Sequence, residues 1–93
     1  MTDMTCAHTV TFDEGNWSEP APDSADGCAD CRAIGDDVWA HLRLCLTCGH
    51  VGCCDSSPHR HATAHAKEHD HAVVRSFEPG EAWRWCYVDE RIV

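Results

Sequence analysis

The sequence predicts a small α+β domain, in which a twisted antiparallel sheet packs against one main helix. Three observations lead to this fold class. Short segments rich in aromatic and β-branched residues are typical of strands, and an alanine-rich segment is typical of a helix. In addition, eight Cys and eight His are present among the 93 residues. A chain of this length forms one domain, which we take as residues 1–93, with 1–5 and 91–93 frayed.

Apolar residues are too few for hydrophobic burial alone to explain a fold. Leu, Ile, Val and Phe number fourteen, about 15% of the chain, and the formal net charge is −9. A composition of this kind is typical of disordered chains, and small domains bury only about 60% of their unfolded surface. We therefore expect metal ions, held by Cys and His, to supply the missing stability.

The composition also disfavours several classes of protein. The apolar runs are too short for a transmembrane helix, and residues 1–5 lack the basic and apolar segments of a secretory signal. Seven basic residues stand against sixteen acidic ones, which makes phosphate binding unfavourable. We expect a cytoplasmic monomer that binds neither nucleic acid nor membranes, in a compartment where disulfides are rare.

The predicted elements follow in order along the chain. Residues 9–27 are rich in Pro, Gly, Ser and acidic residues and predict an acidic loop. Residues 38–44 alternate imperfectly between apolar and polar side chains and predict a strand that leads into a cysteine pair. A helix over 57–71 comes next. Residues 71–77 then predict a second strand, and 82–88 predict a third, with aromatic residues on opposite faces.

Two cysteine pairs have the spacing of metal-binding clips. Cys28–Cys31 and Cys45–Cys48 are both Cys-x-x-Cys pairs, which can bring two thiolates to one ion at about 2.3 Å. Gly49 suits the tight turn after the second pair. An even number of cysteines in a short chain also fits a disulfide framework, and an iron–sulfur cluster takes all-cysteine ligation. Zinc is favoured because neither alternative uses the downstream histidines.

The helix predicted over 57–71 carries the candidate nitrogen ligands. Ser57 is a suitable N-cap, and Pro58 fits the first helical position, where its missing N–H costs nothing. Histidines one turn apart share one face of this helix, and they are His61, His65 and His69. His61 and His65 either chelate one ion together or face two different ions, and their spacing leaves both arrangements open. The histidines expected in solvent are His41, His50, His59 and His69.

The order of these motifs resembles a known zinc finger. From Cys6 to Asp89 the chain carries Cys-x-His, Cys-x-x-Cys, Cys-x-x-Cys-Gly, Cys, His-x-x-x-His, a later His and Trp-Cys-Tyr. This order resembles the UBP-type zinc finger of ubiquitin-specific proteases and of one cytoplasmic histone deacetylase. The strings Cys48 to Pro58 and Trp85 to Glu90 are most similar to small stand-alone bacterial members. The resemblance implies the same α+β fold.

The resemblance also implies three zinc ions and their ligands. The first ion takes Cys28, Cys31, Cys53 and His61. The second takes Cys45, Cys48, His65 and His71. The third takes Cys6, His8, Cys86 and Asp89. Asp89 stands where the fuller family pattern has a cysteine, and a carboxylate is an acceptable zinc ligand at about 2.0–2.2 Å. Cys54 is left over as a packed thiol, and an exchange between Cys53 and Cys54 stays open.

A binding pocket is a further implication of the resemblance. Family members that bind ubiquitin hold its free C-terminal Gly-Gly tail in this pocket. Trp85 and Tyr87 match two aromatic residues that line it, although strands also carry aromatic residues for packing alone. Asp55 stands where these members have an Arg, and it would repel the tail's carboxylate. Arg43 replaces a pocket Trp, with Trp39 nearby, so we expect ubiquitin binding to be weak or absent.

Three functions compete at this point. The favoured one is a non-catalytic module with structural zinc sites, which binds an unknown protein or peptide such as one with a free C-terminal tail. The second is a zinc metalloenzyme with an open site at Cys6, His8 and Cys86 and with Asp89 as a base, although a thiolate-rich zinc is a poor Lewis acid. The third is a thiol-redox or metal-buffering protein that uses the two Cys-x-x-Cys pairs, although no βαβ pattern surrounds either pair.

Overall fold

The structure, a computed structural model, describes residues 9, 12, 17–25, 27–36 and 38–93. Its α+β architecture agrees with the prediction. The elements in the described ranges are the helices α1 (Ala29–Ala33) and α2 (His61–His69) and the strands β1 (Leu42–Cys45), β2 (Val51–Cys53), β3 (Val73–Ser76), β4 (Arg84–Cys86) and β5 (Arg91–Ile92). No helix in these ranges is long and apolar enough to cross a membrane. The described part of the predicted loop 9–27 contains neither α-helix nor strand.

All five strands belong to one antiparallel sheet with the order β2-β1-β3-β4-β5. Residues directly opposite each other in neighbouring strands project from the same face. Val74 lies opposite Cys45 on one side and Trp85 on the other, and Trp85 lies opposite Ile92. These residues therefore mark one face. Helix α2 packs on this face against β1 and β2. The part of the face that β3, β4 and β5 form is therefore left uncovered beside the helix.

The hydrophobic core lies on the opposite face of the sheet. Its members from the strands are Leu42, Leu44, Val51, Cys53, Val73 and Cys86, and they are all buried. Cys28 and Cys31 pack into the same cluster, because α1 contacts β2 from this side. The first cysteine pair and α2 thus approach the edge strand β2 from opposite faces. They meet at the end of this strand, at Cys53.

Helix α2 begins at His61, four residues after the predicted N-cap. Ser57 does not cap the helix, because its hydroxyl accepts a hydrogen bond from the Ala40 amide at 2.8 Å. Pro58 lies in the turn that precedes the helix. The residue at the N-cap is Arg60, which has a left-handed backbone (φ 49°) and makes no side-chain hydrogen bond to the helix. The predicted start of the helix at Ser57 and Pro58 is therefore wrong.

The predicted strands are present but shorter, for local reasons. Residues 38–41 are not part of β1, since the Ala40 amide is bound by Ser57. β4 ends at Cys86, where the chain turns and the Glu90 amide donates to the Cys86 carbonyl at 2.8 Å. Residues 91–93 were expected to fray, but β5 pairs with β4, and the Val93 amide donates to the Arg84 carbonyl at 3.0 Å.

Gly52 allows α2 to lie directly on the edge strand. A Cβ atom at Gly52 would come within 2.7 Å of the Ala62 amide nitrogen and 2.9 Å of its Cα. Both atoms belong to the helix backbone and cannot rotate away. A glycine at this position therefore sets the distance between β2 and α2, and with it the distance between Cys53 and His61.

We predict that Gly52→Ala forces α2 away from β2 and destabilises the zinc-loaded domain by about 1–3 kcal/mol, as overpacked cores do. The displaced helix should also lose zinc to a chelator faster than the wild type. Ala82→Ser is the matched control, because it also adds one heavy atom but at an exposed position outside the helices and strands. Thermal unfolding and chelator-induced zinc release measure both effects, and equal behaviour of the two variants would contradict the prediction.

Candidate metal centres and an adjoining cavity

The first cluster of donor atoms joins four separate parts of the fold. Cys28 caps α1, and its sulfur accepts a hydrogen bond from the Cys31 amide at 3.4 Å. Cys53 is the last residue of β2, and His61 is the first residue of α2. His61 Nδ1 lies 3.4 Å from the Cys28 sulfur, 3.2 Å from the Cys31 sulfur and 3.5 Å from the Cys53 sulfur. All four donor atoms lie within 4.8 Å of one another.

These separations match the edges of a tetrahedral zinc site. Zinc bonds of about 2.3 Å to sulfur and about 2.0–2.1 Å to nitrogen give tetrahedral edges of about 3.8 Å between sulfurs and about 3.6 Å between sulfur and nitrogen. The Cys31 and Cys53 sulfurs are 3.8 Å apart, and the three sulfur–nitrogen distances lie between 3.2 and 3.5 Å. Three thiols and one imidazole are also a usual zinc donor set. The residues therefore fit the ion.

The second cluster lies further along α2 and is formed in the same way. Its members are Cys45 at the end of β1, Cys48 in the following turn, His65 in α2 and His71 before β3. The Cys45 sulfur is 3.5 Å from His71 Nδ1, and the Cys48 sulfur is 3.3 Å from His65 Nε2. The two histidine nitrogens are 3.3 Å apart, against a tetrahedral edge of about 3.4 Å for two imidazoles on zinc.

The two clusters decide between the arrangements left open by the histidine spacing. His61 and His65 are one turn apart on α2, but their donor atoms belong to different clusters. Both predicted four-residue sets are brought together as expected. Cys54 stays outside the first cluster, buried, with its sulfur 3.6 Å from the Ser57 hydroxyl, while Cys53 lies inside it. Each cluster could hold one metal ion, and α2 would supply one ligand to each.

The buried thiols of both clusters require a cation if they are to ionise. Burial, together with hydrogen bonds from neighbouring cysteines, raises the pKa of Cys31. Burial likewise raises the pKa values of Cys45 and Cys53. Burial and the neighbouring histidines lower the pKa of His65, which keeps its ring in the neutral form that binds metals. A zinc ion at each centre would supply the positive charge that stabilises the thiolates.

His50 is not a solvated residue, contrary to the sequence-based expectation. Each of its ring nitrogens lies 2.6 Å from a carboxylate, one from Asp23 and one from Asp30. Its ring also stacks on His65, with centroids 4.4 Å apart. Asp30 lies inside the first cysteine pair, whereas His65 belongs to the second cluster, so His50 connects the surroundings of the two centres. Outer contacts of this kind orient metal ligands, and the spacing of single residues could not reveal them.

The other histidines expected in solvent are closer to the prediction. His41 and His69 are exposed, although the His69 ring lies 4.6 Å from that of His65. His59 is exposed as a residue and pairs with the Asp36 carboxylate at 2.7 Å. None of the three belongs to either donor cluster in the described ranges.

Half of the predicted third centre falls within the described residues. Cys6 and His8 lie outside them, whereas Cys86 and Asp89 form a tight turn. The Asp89 amide donates to the Cys86 sulfur at 3.4 Å, and the Glu90 amide donates to the Cys86 carbonyl at 2.8 Å. Glu90 has a left-handed backbone with φ 53°. The turn has the hydrogen bonding of a cysteine clip, with a carboxylate at the second ligand position.

The same backbone pattern is found in the second cysteine pair. The Gly49 amide donates to the Cys45 carbonyl at 2.8 Å, and Gly49 has a left-handed backbone with φ 84°. Gly49 and Glu90 both follow the second ligand position of a four-residue turn. The agreement shows that residues 86–90 fold as residues 45–49 do, although Glu90 replaces the glycine and Asp89 replaces the cysteine.

A separate cavity of about 270 Å³ opens beside α2, on the face of the sheet that the helix leaves free. Four of the five predicted pocket residues line it, namely Arg43, Asp55, Trp85 and Tyr87. The remaining lining residues are Cys54, Ser56, Val74, Trp83 and Ile92. Trp39 does not line this cavity. It lies under the Arg32 guanidinium, 5.6 Å from the ring centroid, and borders a different depression.

The aromatic residues of the third predicted strand do not lie on opposite faces. Trp83, Trp85 and Tyr87 all line the same cavity, because residues two apart in a strand share a face. Cys86, between two of them, points to the core and is fully buried. The prediction that these aromatic residues lie on opposite faces is therefore wrong. Residues 83, 85 and 87 are two apart in sequence, so the alternation of a strand places all three on one face.

Comparisons with known proteins agree with this geometry. A family model described as the zinc finger in ubiquitin hydrolases and other proteins matches residues 28–93. Protein RPA1320 from Rhodopseudomonas palustris, which has been solved by solution NMR, is 44% identical in sequence, with a TM-score of 0.79. That match covers 98% of this chain and 82% of the R. palustris chain. The similarity therefore includes both the sequence and the complete fold.

We predict that His61→Ala lowers the number of bound zinc ions by one per chain, because the first centre retains only three of its four ligands. The protein should be purified without added metal and its ions counted by native mass spectrometry. His41→Ala is the matched control, since His41 is exposed and outside both clusters. A His61→Ala variant with the zinc content of the wild type would show that the first centre does not hold an ion through this residue.

Proposed function

The chain belongs to the family of zinc fingers found in ubiquitin hydrolases, and from this membership we propose that it is a non-catalytic module that binds a protein or peptide. In this proposal the zinc ions are structural, and the partner is held in the cavity lined by Trp83, Trp85 and Tyr87. The observation that carries the proposal is the position of this cavity, which lies beside α2 and is lined by none of the residues of the two donor clusters.

The donor sets support a structural role for the zinc ions. Each of the two clusters offers four donor atoms within 4.8 Å of one another, so a zinc ion bound by all four would have no position left for water or substrate. A catalytic zinc keeps three protein ligands and one open position. The closed sets therefore favour a fold-stabilising role, and they favour the cavity as the functional surface.

We also propose that a third zinc ion binds Cys86 and Asp89 together with Cys6 and His8. The support comes from the turn at residues 86–90, which repeats the hydrogen bonds of the second cysteine pair. An aspartate oxygen at the second position keeps the negative charge of the cysteine that it replaces, and carboxylates are accepted by zinc. The ion would join the turn between β4 and β5 to the first residues of the chain.

The proposed partner is not ubiquitin, because the cavity carries an acidic group. Asp55 lines it and is exposed, and its carboxylate accepts a hydrogen bond from the Thr63 hydroxyl of α2. A negative side chain at this position repels a carboxylate placed beside it, whereas an arginine at the same position would bind that carboxylate through two parallel hydrogen bonds. The expected partner is therefore a different protein or peptide.

The binding role is tested by an array of peptides with free C-termini and of basic peptides, probed with zinc-loaded protein. We expect a subset of peptides to bind both the wild type and Trp39→Ala. The same peptides should not bind Trp85→Ala, because Trp85 lines the cavity and Trp39 does not. Zinc content and thermal unfolding should first show that both variants are folded. Peptide binding that survives in Trp85→Ala, or an array without any bound peptide, would contradict the proposal.

The third ion is tested by Asp89→Ala. This variant should bind one zinc fewer than the wild type in native mass spectrometry, because the turn at residues 86–90 keeps only its sulfur ligand. Asp89→Cys, which introduces a stronger zinc ligand, should retain the wild-type count. If Asp89→Ala retains it as well, Asp89 is not a ligand.

The charge argument predicts a gain of function for Asp55→Arg. The wild type should bind ubiquitin with a free C-terminus with a Kd above about 10 μM. Asp55→Arg should increase the affinity at least about tenfold, which corresponds to one charge-assisted pair. Glu68→Arg, at an exposed position of α2 outside this cavity, makes the same change in net charge. Isothermal titration calorimetry with both variants checks the effect. A wild type that binds ubiquitin with micromolar affinity would contradict the argument.

A further inference from the structure

The cavity beside α2 is lined by two opposite charges that do not neutralise each other. Arg43 and Asp55 both line it, yet the structure contains no ion pair between their side chains. Each charged group is instead held by a neutral partner. A cavity of about 270 Å³ with a cation and an anion on its wall has the electrostatic pattern that complements a small dipolar group.

Arg43 is fixed on one wall of the cavity. Its guanidinium lies 4.5 Å from the centroid of the Trp83 ring, and its Nη1 donates to the Leu42 carbonyl at 2.9 Å. A guanidinium has five N–H donors, so this bond leaves donors for an anion. A stacked guanidinium is already ordered before a ligand arrives, which reduces the entropy lost on binding.

Asp55 is held by a different set of contacts. Its Oδ1 accepts a hydrogen bond from the Thr63 hydroxyl, while Oδ2 has no such partner among the described residues. Tyr87 lines the same cavity.

The remaining walls are apolar, and the cavity is small. Val74, Trp85 and Ile92 contribute carbon surface, and Ile92 is 56% exposed despite its size. Sites for whole small-molecule ligands usually have volumes of about 300–1,000 Å³. The space of about 270 Å³ is therefore suited to a single residue with an apolar stem, and not to a longer segment.

We propose that this cavity recognises a peptide that ends in lysine, with its terminal carboxylate bound by Arg43 and its side-chain ammonium bound by Asp55. This inference rests on the proposed function and specifies the partner of the same site. The four methylene groups of the lysine side chain lie against Trp85 and Ile92, as the stems of lysine side chains do on apolar surfaces. A lysine at the end of a chain carries both charges on one residue, the carboxylate on its backbone and the ammonium on its side chain.

Lysine fits the acidic side of the cavity better than arginine. With one oxygen engaged by Thr63, Asp55 offers one free oxygen, which is sufficient for the point charge of an ammonium. A guanidinium would have to share Oδ1 with the Thr63 hydroxyl to form its paired hydrogen bonds. The net charge of −9 attracts basic peptides in general, so an experiment must separate recognition by the cavity from this wider attraction.

The test uses three labelled peptides of the same length and fluorescence polarisation with the zinc-loaded protein. The first ends in Gly-Gly-Lys with a free carboxylate, and the second is its C-terminal amide. The third ends in Lys-Gly-Gly with a free carboxylate and thus has the same composition and net charge as the first. We expect the first peptide to bind at least about tenfold more tightly than either of the others, since each lacks one charge-assisted contact.

Two variants assign the preferences to individual residues. Asp55→Asn should remove the preference over the Lys-Gly-Gly peptide, and Arg43→Gln should remove the preference over the amide. The matched controls are Glu68→Gln and Lys67→Gln, two exposed positions on α2 that do not line the cavity, and both should keep the full preferences. Equal losses in Asp55→Asn and Glu68→Gln would mean that only the overall charge matters and would overturn the inference.

The outcomes also separate this inference from the proposed function. If the Lys-Gly-Gly peptide binds as well as the Gly-Gly-Lys peptide and Trp85→Ala abolishes both, the cavity binds peptide tails but does not select lysine. That result overturns the inference and leaves the binding module intact. If none of the three peptides binds while the array yields other peptides that depend on Trp85, the inference is equally overturned, and the proposed function again stands.

Discussion

The fold is organised around two clusters of cysteine and histidine donors, each of which could hold a metal ion. A structural zinc ion contributes about 10–16 kcal/mol to a small zinc-binding domain, which is as large as the complete stability of about 5–15 kcal/mol of an ordinary globular protein. Four cysteines of the two clusters are buried within the core, where burial alone opposes their ionisation. The hydrophobic core is small and includes three of these same cysteines, so apolar packing and metal binding form one unit.

Helix α2 carries one candidate ligand of each centre, and its position on the sheet leaves the cavity open beside it. His61 at its start and His65 one turn later belong to different clusters, and Gly52 allows the helix to approach the edge strand. Ligands at both points keep α2 over β1 and β2, so the aromatic residues of β4 and the turn after it stay open beside the helix. Asp55 follows Cys53 by two residues, and Thr63 follows His61 by two. The walls of the cavity are therefore positioned by residues next to the donors that would hold the metal ions.

The parts of the fold that were predictable from the sequence are those encoded by short spacing. The spacing of the two Cys-x-x-Cys pairs predicted two metal clips, whereas the division of His61 and His65 between two ions was implied only by the resemblance to the UBP-type zinc finger. That resemblance is confirmed by the family match. The start of α2 was missed because Ser57 has a suitable side chain for capping but uses it on the distant Ala40 amide. His50 was missed because its partners, Asp23 and Asp30, become neighbours only in the fold. Long-range contacts of this kind leave no local pattern.

The dependence of the fold on metal is tested most directly by removing the zinc. The purified protein should be treated with a strong chelator under reducing conditions and followed by two-dimensional NMR and thermal unfolding. The account predicts that the dispersed spectrum collapses to that of an unfolded chain and that the cooperative transition disappears, with both restored when zinc is returned. A metal-free sample that keeps a dispersed spectrum and melts cooperatively would contradict it.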